Sequence, residues 1–264
     1  MHLSGNGELV RRERAGATLV LTFSREEKLN ALSSAMLRSL EAALDDAERD
    51  ATVRVVVLTG EGDRAFVAGA DIGEYAEQDH DAFLAYQSFS RALFTRIDTF
   101  PKPVVAAVNG HALGGGFEIA LCCDVIVASE RATFGLPEGL LGLSPGGGGT
   151  QRLTRAVGPF VAGDVLLSAR RLSAQDALQL GIASEVVPSS ELGGAALAKA
   201  TAIAALAPLS SREMLGLIGA AGDVDLETGL TLEQQSLARL HLSDDAAEGV
   251  RAFLEKREPR FQGM

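Results

Sequence analysis

The sequence contains no tryptophan and only two cysteines among its 264 residues. Cys122 and Cys123 are adjacent, and neighbours along a chain rarely pair with each other or match a metal-ligand spacing. A disulfide framework and a cysteine-ligated metal site are therefore both disfavoured. We expect two reduced thiols that fill an apolar segment, as is usual in a reducing compartment.

Long apolar runs are also absent. No run approaches the ~20 residues that span a bilayer, and residues 1–16 lack the apolar centre of a signal peptide. Hydrophobic residues make up 47% and charged residues 22% of the chain, as in ordinary globular proteins. The net charge of −11 argues against a nucleic-acid surface. We therefore expect a cytoplasmic protein that binds neither a membrane nor nucleic acid.

Apolar patterning predicts alternating strands and helices up to residue 188. A hairpin is predicted first, and three times after it a strand is followed by a glycine turn and a helix. This recurrence indicates an α/β protein of stacked β-β-α layers rather than one open sheet. The hairpin is predicted over 8–14 and 17–23, the strands over 53–60, 103–110 and 123–129, and the two longest helices over 33–49 and 80–97.

Only helical patterns follow Pro188. We therefore divide the chain into a core over 1–188 and a helical subdomain over 189–264. The apolar faces of these helices are suited to packing within the chain or against another subunit. The four helices are predicted over 191–207, 208–221, 225–242 and 243–257.

The segment 103–152 combines two glycine clusters with two carboxylates. Glu118 follows the glycines 114–116, and Glu138 lies between Leu136-Pro137 and an apolar pair, before the glycines 146–149. A buried carboxylate is costly unless it has partners or a function, so the two glutamates are candidates for acid/base chemistry. The alternatives are a charge at a helix start for Glu118 and a solvated loop acid for Glu138.

Glycines at a helix start leave backbone N–H groups open to an anion, although they also serve tight packing. Ala68-Gly69-Ala70-Asp71 forms a second small-residue turn after a strand. One N–H group from each turn, directed at one point, makes an oxyanion hole. A dinucleotide site at Gly60-Glu61-Gly62 is disfavoured, because a short strand follows where a helix is required.

Six stretches together resemble the enoyl-CoA hydratase/isomerase family, also called crotonases. They run in the family's order from near residue 20 to the end of the chain. The stretches are REEKLNAL (25–32), AFVAGADI (65–72), PKPVVAAVNGHALGGGFEIALCCDVIVAS (101–129), FGLPEGLLGLSPGGGGTQRLTRAVG (134–158), LSAQDALQLGIASEVVP (172–188) and AFLEKREPRF (252–261).

The resemblance implies a crotonase-like spiral of β-β-α units with a C-terminal helical subdomain. It also implies homotrimers or hexamers built as dimers of trimers. The substrate is expected to be an acyl-CoA thioester whose oxygen is held by the N–H groups of Ala70 and Gly115. CoA is part of the substrate, and no metal or redox cofactor is expected.

The two glutamates match those that hydratases of this family use. The resemblance therefore implies reversible syn addition of water to a trans-2-enoyl-CoA. We assign Glu118 mainly to the water that attacks C3 and Glu138 mainly to the proton delivered to C2. Gly146 matches a position whose N–H group helps to orient the water.

The resemblance places the CoA nucleotide near the early loop and the turn before residue 73. It also implies that the C-terminal helix reaches the CoA of a neighbouring subunit. Leu136 stands where some members have Gln, which suggests an acyl group other than a simple short enoyl chain. The residues expected at CoA are Lys28, Leu29, Ala68, Asp71, Ile72, Phe253 and Lys256.

Three other functions remain open on the sequence. A double-bond isomerase would use one glutamate to move a proton. A dehydratase of a specialised 3-hydroxyacyl-CoA would run the same reaction in reverse. A member without turnover would bind acyl-CoA or RNA, which the retention of both glutamates and the acidic charge disfavour.

Overall fold

The computed structural model describes residues 8–264. The expectation about a signal peptide rests on residues 1–16, and the first seven of these lie outside the described residues. Strands and helices alternate up to β10, and helices follow. The strands are β1 (Val10–Ala15), β2 (Thr18–Phe23), β3 (Val55–Gly60), β4 (Ala65–Val67), β5 (Val104–Val108), β6 (His111–Leu113), β7 (Val125–Ser129), β8 (Thr133–Gly135), β9 (Leu172–Ser173) and β10 (Glu185–Val187). The helices are α1 (Ser34–Arg49), α2 (Ile72–Glu77), α3 (His80–Asp98), α4 (Gly115–Leu121), α5 (Gly149–Val157), α6 (Pro159–Ser168), α7 (Ala174–Gln179), α8 (Leu192–Ala204), α9 (Pro208–Ala220), α10 (Leu226–His241) and α11 (Asp244–Glu255).

The larger sheet has the strand order β1-β2-β3-β5-β7-β10 within residues 8–264. The hairpin strands β1 and β2 are antiparallel, and the later neighbours pair in parallel. Strand β5, with the sequence VVAAV, is buried at every position. Such continuous apolar strands are typical of parallel sheets that are covered on both faces.

Side chains alternate between the two faces of this sheet, and each face has its own cover. Val56, Leu58 and Val104 belong to the main core, which α1 and the second sheet complete. Val55, Val57 and Val105 instead pack with Leu192, Ala196 and Ala200 of α8. The first helix after the predicted boundary at residue 188 is therefore part of the cover of the sheet. The division into 1–188 and 189–264 stays a prediction.

We expect Ala200→Asp to destabilise the protein by at least about 3 kcal/mol, because it buries a charge against apolar strands. Ala200 is fully buried, whereas Ala198 on the same helix is exposed. Ala198→Asp is therefore the matched control, and its effect should stay within about 0.5 kcal/mol. Urea unfolding of both variants measures the difference. Equal small losses in both would mean that α8 is not required for the sheet.

The second sheet carries the turns that later form the site. Its strand order is β4-β6-β8-β9, with β4, β6 and β8 parallel and β9 antiparallel to β8. Helix α4 packs against the end of β4 so closely that a Cβ atom on Gly116 would overlap the carbonyl oxygen of Val67. The two small-residue turns of the sequence are thereby brought side by side. The expected stacked layers are confirmed.

Helices α9–α11 expose several large apolar side chains, among them Leu226 (78%) and Phe253 (83%). No single helix within residues 8–264 is long and apolar enough to cross a membrane. One pair of segments meets the length and composition criteria for a membrane span only when the two are taken together, and it is bent by 105°. The pair consists of Ser189–Ala204 and Pro208–Ala220.

Candidate active site

A cavity of about 380 Å³ lies between the second sheet, α3 and the loop before α5. Its wall is mostly apolar and contains both candidate glutamates. Both tyrosines of the chain also line it. The lining residues are Leu32, Ala68, Gly69, Ala70, Ile72, Tyr75, Phe83, Tyr86, Gln87, Ser90, Phe94, Leu113, Gly114, Gly115, Glu118, Pro137, Glu138, Leu141, Leu143, Ser144, Gly146 and Gly147.

Glu118 is held by the second glycine cluster. It lies in the first turn of α4 and is 4% exposed. The N–H groups of Gly147 and Gly149 both donate to its Oε1 atom, at 2.8 Å each. Burial raises the pKa of this carboxyl, and the two backbone donors oppose the rise. No hydrogen bond among the described residues ends on its Oε2 atom, and Glu118 lines the cavity.

Arg152 fixes the loop that holds Glu118. Its Nη1 donates to the carbonyl oxygen of Gly147 at 3.0 Å, and its Nη2 donates to Asp98 at 2.9 Å. The guanidinium charge also lowers the pKa of Glu118, after the larger effects of burial and the loop N–H groups. The sequence analysis did not identify Arg152, although it lies within the stretch GGGGTQR that carries the resemblance.

Glu138 lies in a short 3₁₀ helix, Pro137–Leu141, on the wall of the cavity. Burial raises its pKa to about 7, and the nearby charge of Glu118 adds to the rise. Its Oε2 atom is buried and has no hydrogen-bond partner among the described residues. Near neutral pH this carboxyl therefore exists in both protonation states, as an acid/base group requires.

The backbone N–H group of Ala70 is available to a ligand. Leu32 donates to the carbonyl oxygen of Gly69 and accepts from the N–H group of Asp71, at 2.8 and 2.9 Å. In such a parallel pairing the middle residue directs its own N–H and C=O groups to the other side. Ala70 lines the cavity, and its N–H group has no acceptor among the described residues.

The N–H group of Gly115 is the second free donor. Gly115 is the first residue of α4, where N–H groups have no acceptor within the helix. Gly114 before it has φ +50°, a conformation that favours glycine, and its N–H group donates to Gly135 at 2.9 Å. The predicted pair of donors thus borders one cavity with Glu118 and Glu138. Gly146, expected to orient the water, also lines it.

The residues predicted to bind CoA fall into two groups. Lys28, Leu29 and Ala68 are neighbours, because the N–H group of Ala68 donates to the carbonyl oxygen of Leu29 at 3.1 Å. Asp71 begins α2 and forms an ion pair with Arg25 at 2.7 Å, and Ile72 is 51% exposed at the cavity. Phe253 and Lys256, by contrast, lie at the exposed end of α11 and do not line the cavity.

The lining of the cavity differs from the expectation drawn from Leu136. The C-terminal helices do not contribute to the described cavity, whose lining comes from residues 32–147. Leu136 does not line it either, because this side chain is buried at 1% exposure behind Gly149 and packs beneath the loop. Leu136 therefore gives no indication of the acyl group.

The sequence analysis missed the polar residues of the pocket wall. Tyr75 and Gln87 lie on α2 and α3 and are hydrogen-bonded to each other. Helix α2 was not predicted, and no site residue was assigned to the helix predicted over 80–97. Only the scarcity of tyrosine in the chain could have drawn attention to Tyr75. Within residues 8–264, no group of three or more His, Cys, Asp and Glu side chains is arranged to hold a metal ion.

Comparison with known proteins places this geometry in a family. The family model described as Enoyl-CoA hydratase/isomerase matches residues 13–264. The 2,3-dehydroadipyl-CoA hydratase of Escherichia coli is 43% identical over 95% of this chain and 97% of its own. A short-chain-enoyl-CoA hydratase of Clostridium acetobutylicum is 39% identical over 93% and 94%.

A solved structure agrees in fold. The crystal structure of an enoyl-CoA hydratase from Bacillus anthracis superposes with a TM-score of 0.94 at 38% identity, covering 97% of this chain and all of the other. The predicted α/β fold of stacked β-β-α units is therefore confirmed.

Proposed function

The chain belongs to the enoyl-CoA hydratase/isomerase family, and on this premise we propose that it adds water reversibly to a trans-2-enoyl-CoA. The hydratase names of its relatives support an enzyme of this type. The observation that carries the proposal is the pairing of a buried carboxylate, Glu118, and a half-buried one, Glu138, with two free backbone donors at one cavity. In the proposed mechanism each of these four groups has a role in hydration.

The N–H groups of Ala70 and Gly115 bind the thioester oxygen in this proposal. Charge develops on that oxygen as C3 is attacked, because the intermediate is enolate-like. Fixed donors in a largely apolar cavity stabilise such charge, each by about 3 kcal/mol in comparable sites. Both donors are backbone groups whose direction is set by the fold, so they need no rearrangement during the reaction.

The glutamates divide the proton transfers. Glu118 accepts a proton from the attacking water through its free Oε2 atom, while the loop N–H groups hold Oε1. Glu138 delivers a proton to C2 and is suited to this step because its pKa is raised to about 7. Both carboxyls line the same cavity, which favours addition to one face of the double bond. Exchange with solvent then returns the proton from Glu118 to Glu138.

Crotonyl-CoA tests the proposal directly. We expect the absorbance of its enoyl thioester to disappear when enzyme is added, with the product 3-hydroxybutyryl-CoA identified by mass. In H₂¹⁸O the product should carry the label at C3. If no 2-enoyl-CoA of any chain length reacts, the hydratase proposal is wrong, and 3-enoyl-CoA substrates then test the isomerase.

The rate of hydration should fall as pH rises through about 7. Hydration needs an ionised Glu118 and a protonated Glu138, and dehydration needs the reverse, so both directions use the state in which the pair holds one proton. Above pH 7 the remaining proton is lost from Glu138. We therefore expect kcat/KM for hydration and dehydration to decline together above neutral pH. A profile that stays flat from pH 6 to pH 9 would contradict this assignment.

The remaining parts of the proposal concern the context of the site. CoA is part of the substrate, and this reaction requires no metal or redox cofactor. The exposed apolar side chains of α9–α11 support a homotrimer or a dimer of trimers, in which Phe253 and Lys256 approach the CoA of a neighbouring subunit. Two free cysteines and the charge of −11 support a cytoplasmic enzyme without a nucleic-acid partner.

A further inference from the structure

A polar pair, Tyr75 and Gln87, lies in the wall that α2 and α3 give to the cavity, where the hydroxyls of Tyr86 and Ser90 are bonded to backbone carbonyl oxygens. The Nε2 group of Gln87 donates to the hydroxyl oxygen of Tyr75. The ring of Tyr75 is fixed by edge-to-face contacts with Phe83 and Tyr86, with centroids 5.2 Å apart in each case. The Tyr75 hydroxyl is therefore held at a defined place in the wall.

The pair keeps unused hydrogen-bonding capacity. The Tyr75 hydroxyl accepts from Gln87, but its own O–H group has no acceptor among the described residues. The Oε1 atom of Gln87 accepts no hydrogen bond from the described residues and lies beside Gly146, 2.5 Å from where a Cβ atom would stand there. One donor and one acceptor thus remain available at the cavity. Tyr86 differs, because its O–H group donates to the carbonyl oxygen of Leu32 at 3.1 Å.

A hydroxyl group complements this arrangement, since it accepts one hydrogen bond and donates another. A carboxylate does not. The only ionisable acids in the lining are Glu118 and Glu138, burial raises the pKa of both, and the lining contains no Lys or Arg. An anionic acyl terminus would enter a cavity that already disfavours negative charge. An alkyl terminus would leave the free donor and acceptor without water or partner.

We propose that Tyr75 and Gln87 are specificity residues that select an enoyl thioester whose acyl chain carries a hydroxyl group. The Tyr75 O–H group donates to the substrate hydroxyl, and Gln87 Oε1 accepts from it. This inference rests on the proposed function, because it names the acyl group that the same cavity takes. Sites that hydrogen-bond a substrate hydroxyl discriminate strongly against the analogue that lacks it.

The test compares 2-enoyl-CoA esters of equal length that end in CH₂OH, CH₃ or a carboxylate, for acyl chains of about five to eight carbons. At the length that fits, we expect kcat/KM for the hydroxyl ester to exceed that for the methyl ester at least about tenfold. The carboxylate ester should be the poorest of the three. Tyr75→Phe and Gln87→Leu should each reduce the hydroxyl-to-methyl ratio about tenfold. Tyr86→Phe is the matched control, because its hydroxyl is bonded within the protein, and it should leave the ratio unchanged.

Two readouts separate this inference from the hydratase proposal. Hydration of crotonyl-CoA by the unmodified enzyme reports on the proposed function. The Kd values of the corresponding saturated thioesters, measured by calorimetry, report on the polar pair without turnover. If crotonyl-CoA reacts but the hydroxyl ester has no advantage at any length, the inference is overturned and the hydratase stands. If Tyr86→Phe changes the ratio as much as Tyr75→Phe, the specificity assignment is also overturned.

Discussion

Glu118→Gln and Glu138→Gln should each lower kcat for crotonyl-CoA hydration by about 10³-fold. General acid–base groups contribute about 10²- to 10⁴-fold, and both glutamates are assigned to proton transfer in the same step. In Glu118→Gln the new amide keeps an oxygen that can accept from Gly147 and Gly149, so the loop should retain its position. Stopped-flow absorbance at saturating substrate measures kcat for each variant.

A variant that carries both substitutions tests whether the two glutamates act in one step. Residues that act as a unit give losses that do not add, so Glu118→Gln with Glu138→Gln should lose little more activity than either single change. Glu191→Gln, at an exposed position, is the control and should retain full activity. A loss below about tenfold in both single variants would exclude the two-carboxylate mechanism. A large loss in only one would make the other glutamate a holder of water.

Gly116→Ala should destabilise the protein by about 2–4 kcal/mol and abolish most activity. The added Cβ atom would overlap the backbone carbonyl of Val67, and a backbone atom in a strand cannot move aside as a flexible side chain can. Relief requires β4 and α4 to separate. Ala70 lies in the turn that follows β4 and Gly115 begins α4, so the two donors would no longer face one oxygen.

Gly163→Ala in α6 is the matched control, because no atom lies within 4 Å of its added Cβ. Helix propensity predicts that this change is neutral or stabilises the protein by up to about 1 kcal/mol. Thermal unfolding and kcat of the folded fraction should be measured for both variants. A Gly116→Ala protein with the stability and activity of the unmodified chain would show that the close approach of α4 to β4 is not required.

The sequence predicted the scaffold, and the location of both glutamates at one cavity, far better than the lining of that cavity. The strands around Val55 and Val105 were predictable because parallel strands that are buried on both faces are continuously apolar. Glu118 and Glu138 were identifiable because carboxylates beside glycine turns are unusual among apolar residues. These are local signals, and each can be recognised within a few positions of the residue that carries it.

The lining of the pocket depends on how distant segments pack, and no local pattern reports it. Tyr75 and Gln87 lie on different helices and are joined by a hydrogen bond. The sequence around each residue looks like that of an ordinary amphipathic helix, so nothing in it indicates that the two side chains meet. Leu136 shows the opposite error. Its place in a functional motif suggested contact with the acyl group, yet the backbone turns it beneath Gly149. The packing of α8 on the sheet could likewise not be predicted from the sequence, because an Ala-rich helix face fits many surfaces.

The anchoring of Glu118 has a consequence for synthesis of the protein on the ribosome. Its two donors lie 29 and 31 positions further along the chain, and the helix that covers the apolar sheet face, α8, follows later still. A nascent chain that ends before Leu192 therefore exposes Val55 and Val105, and one that ends before Gly147 also lacks both backbone donors to Glu118. Such incomplete parallel sheets are prone to aggregate. The apolar face of the larger sheet is therefore completed only when α8 has been synthesised.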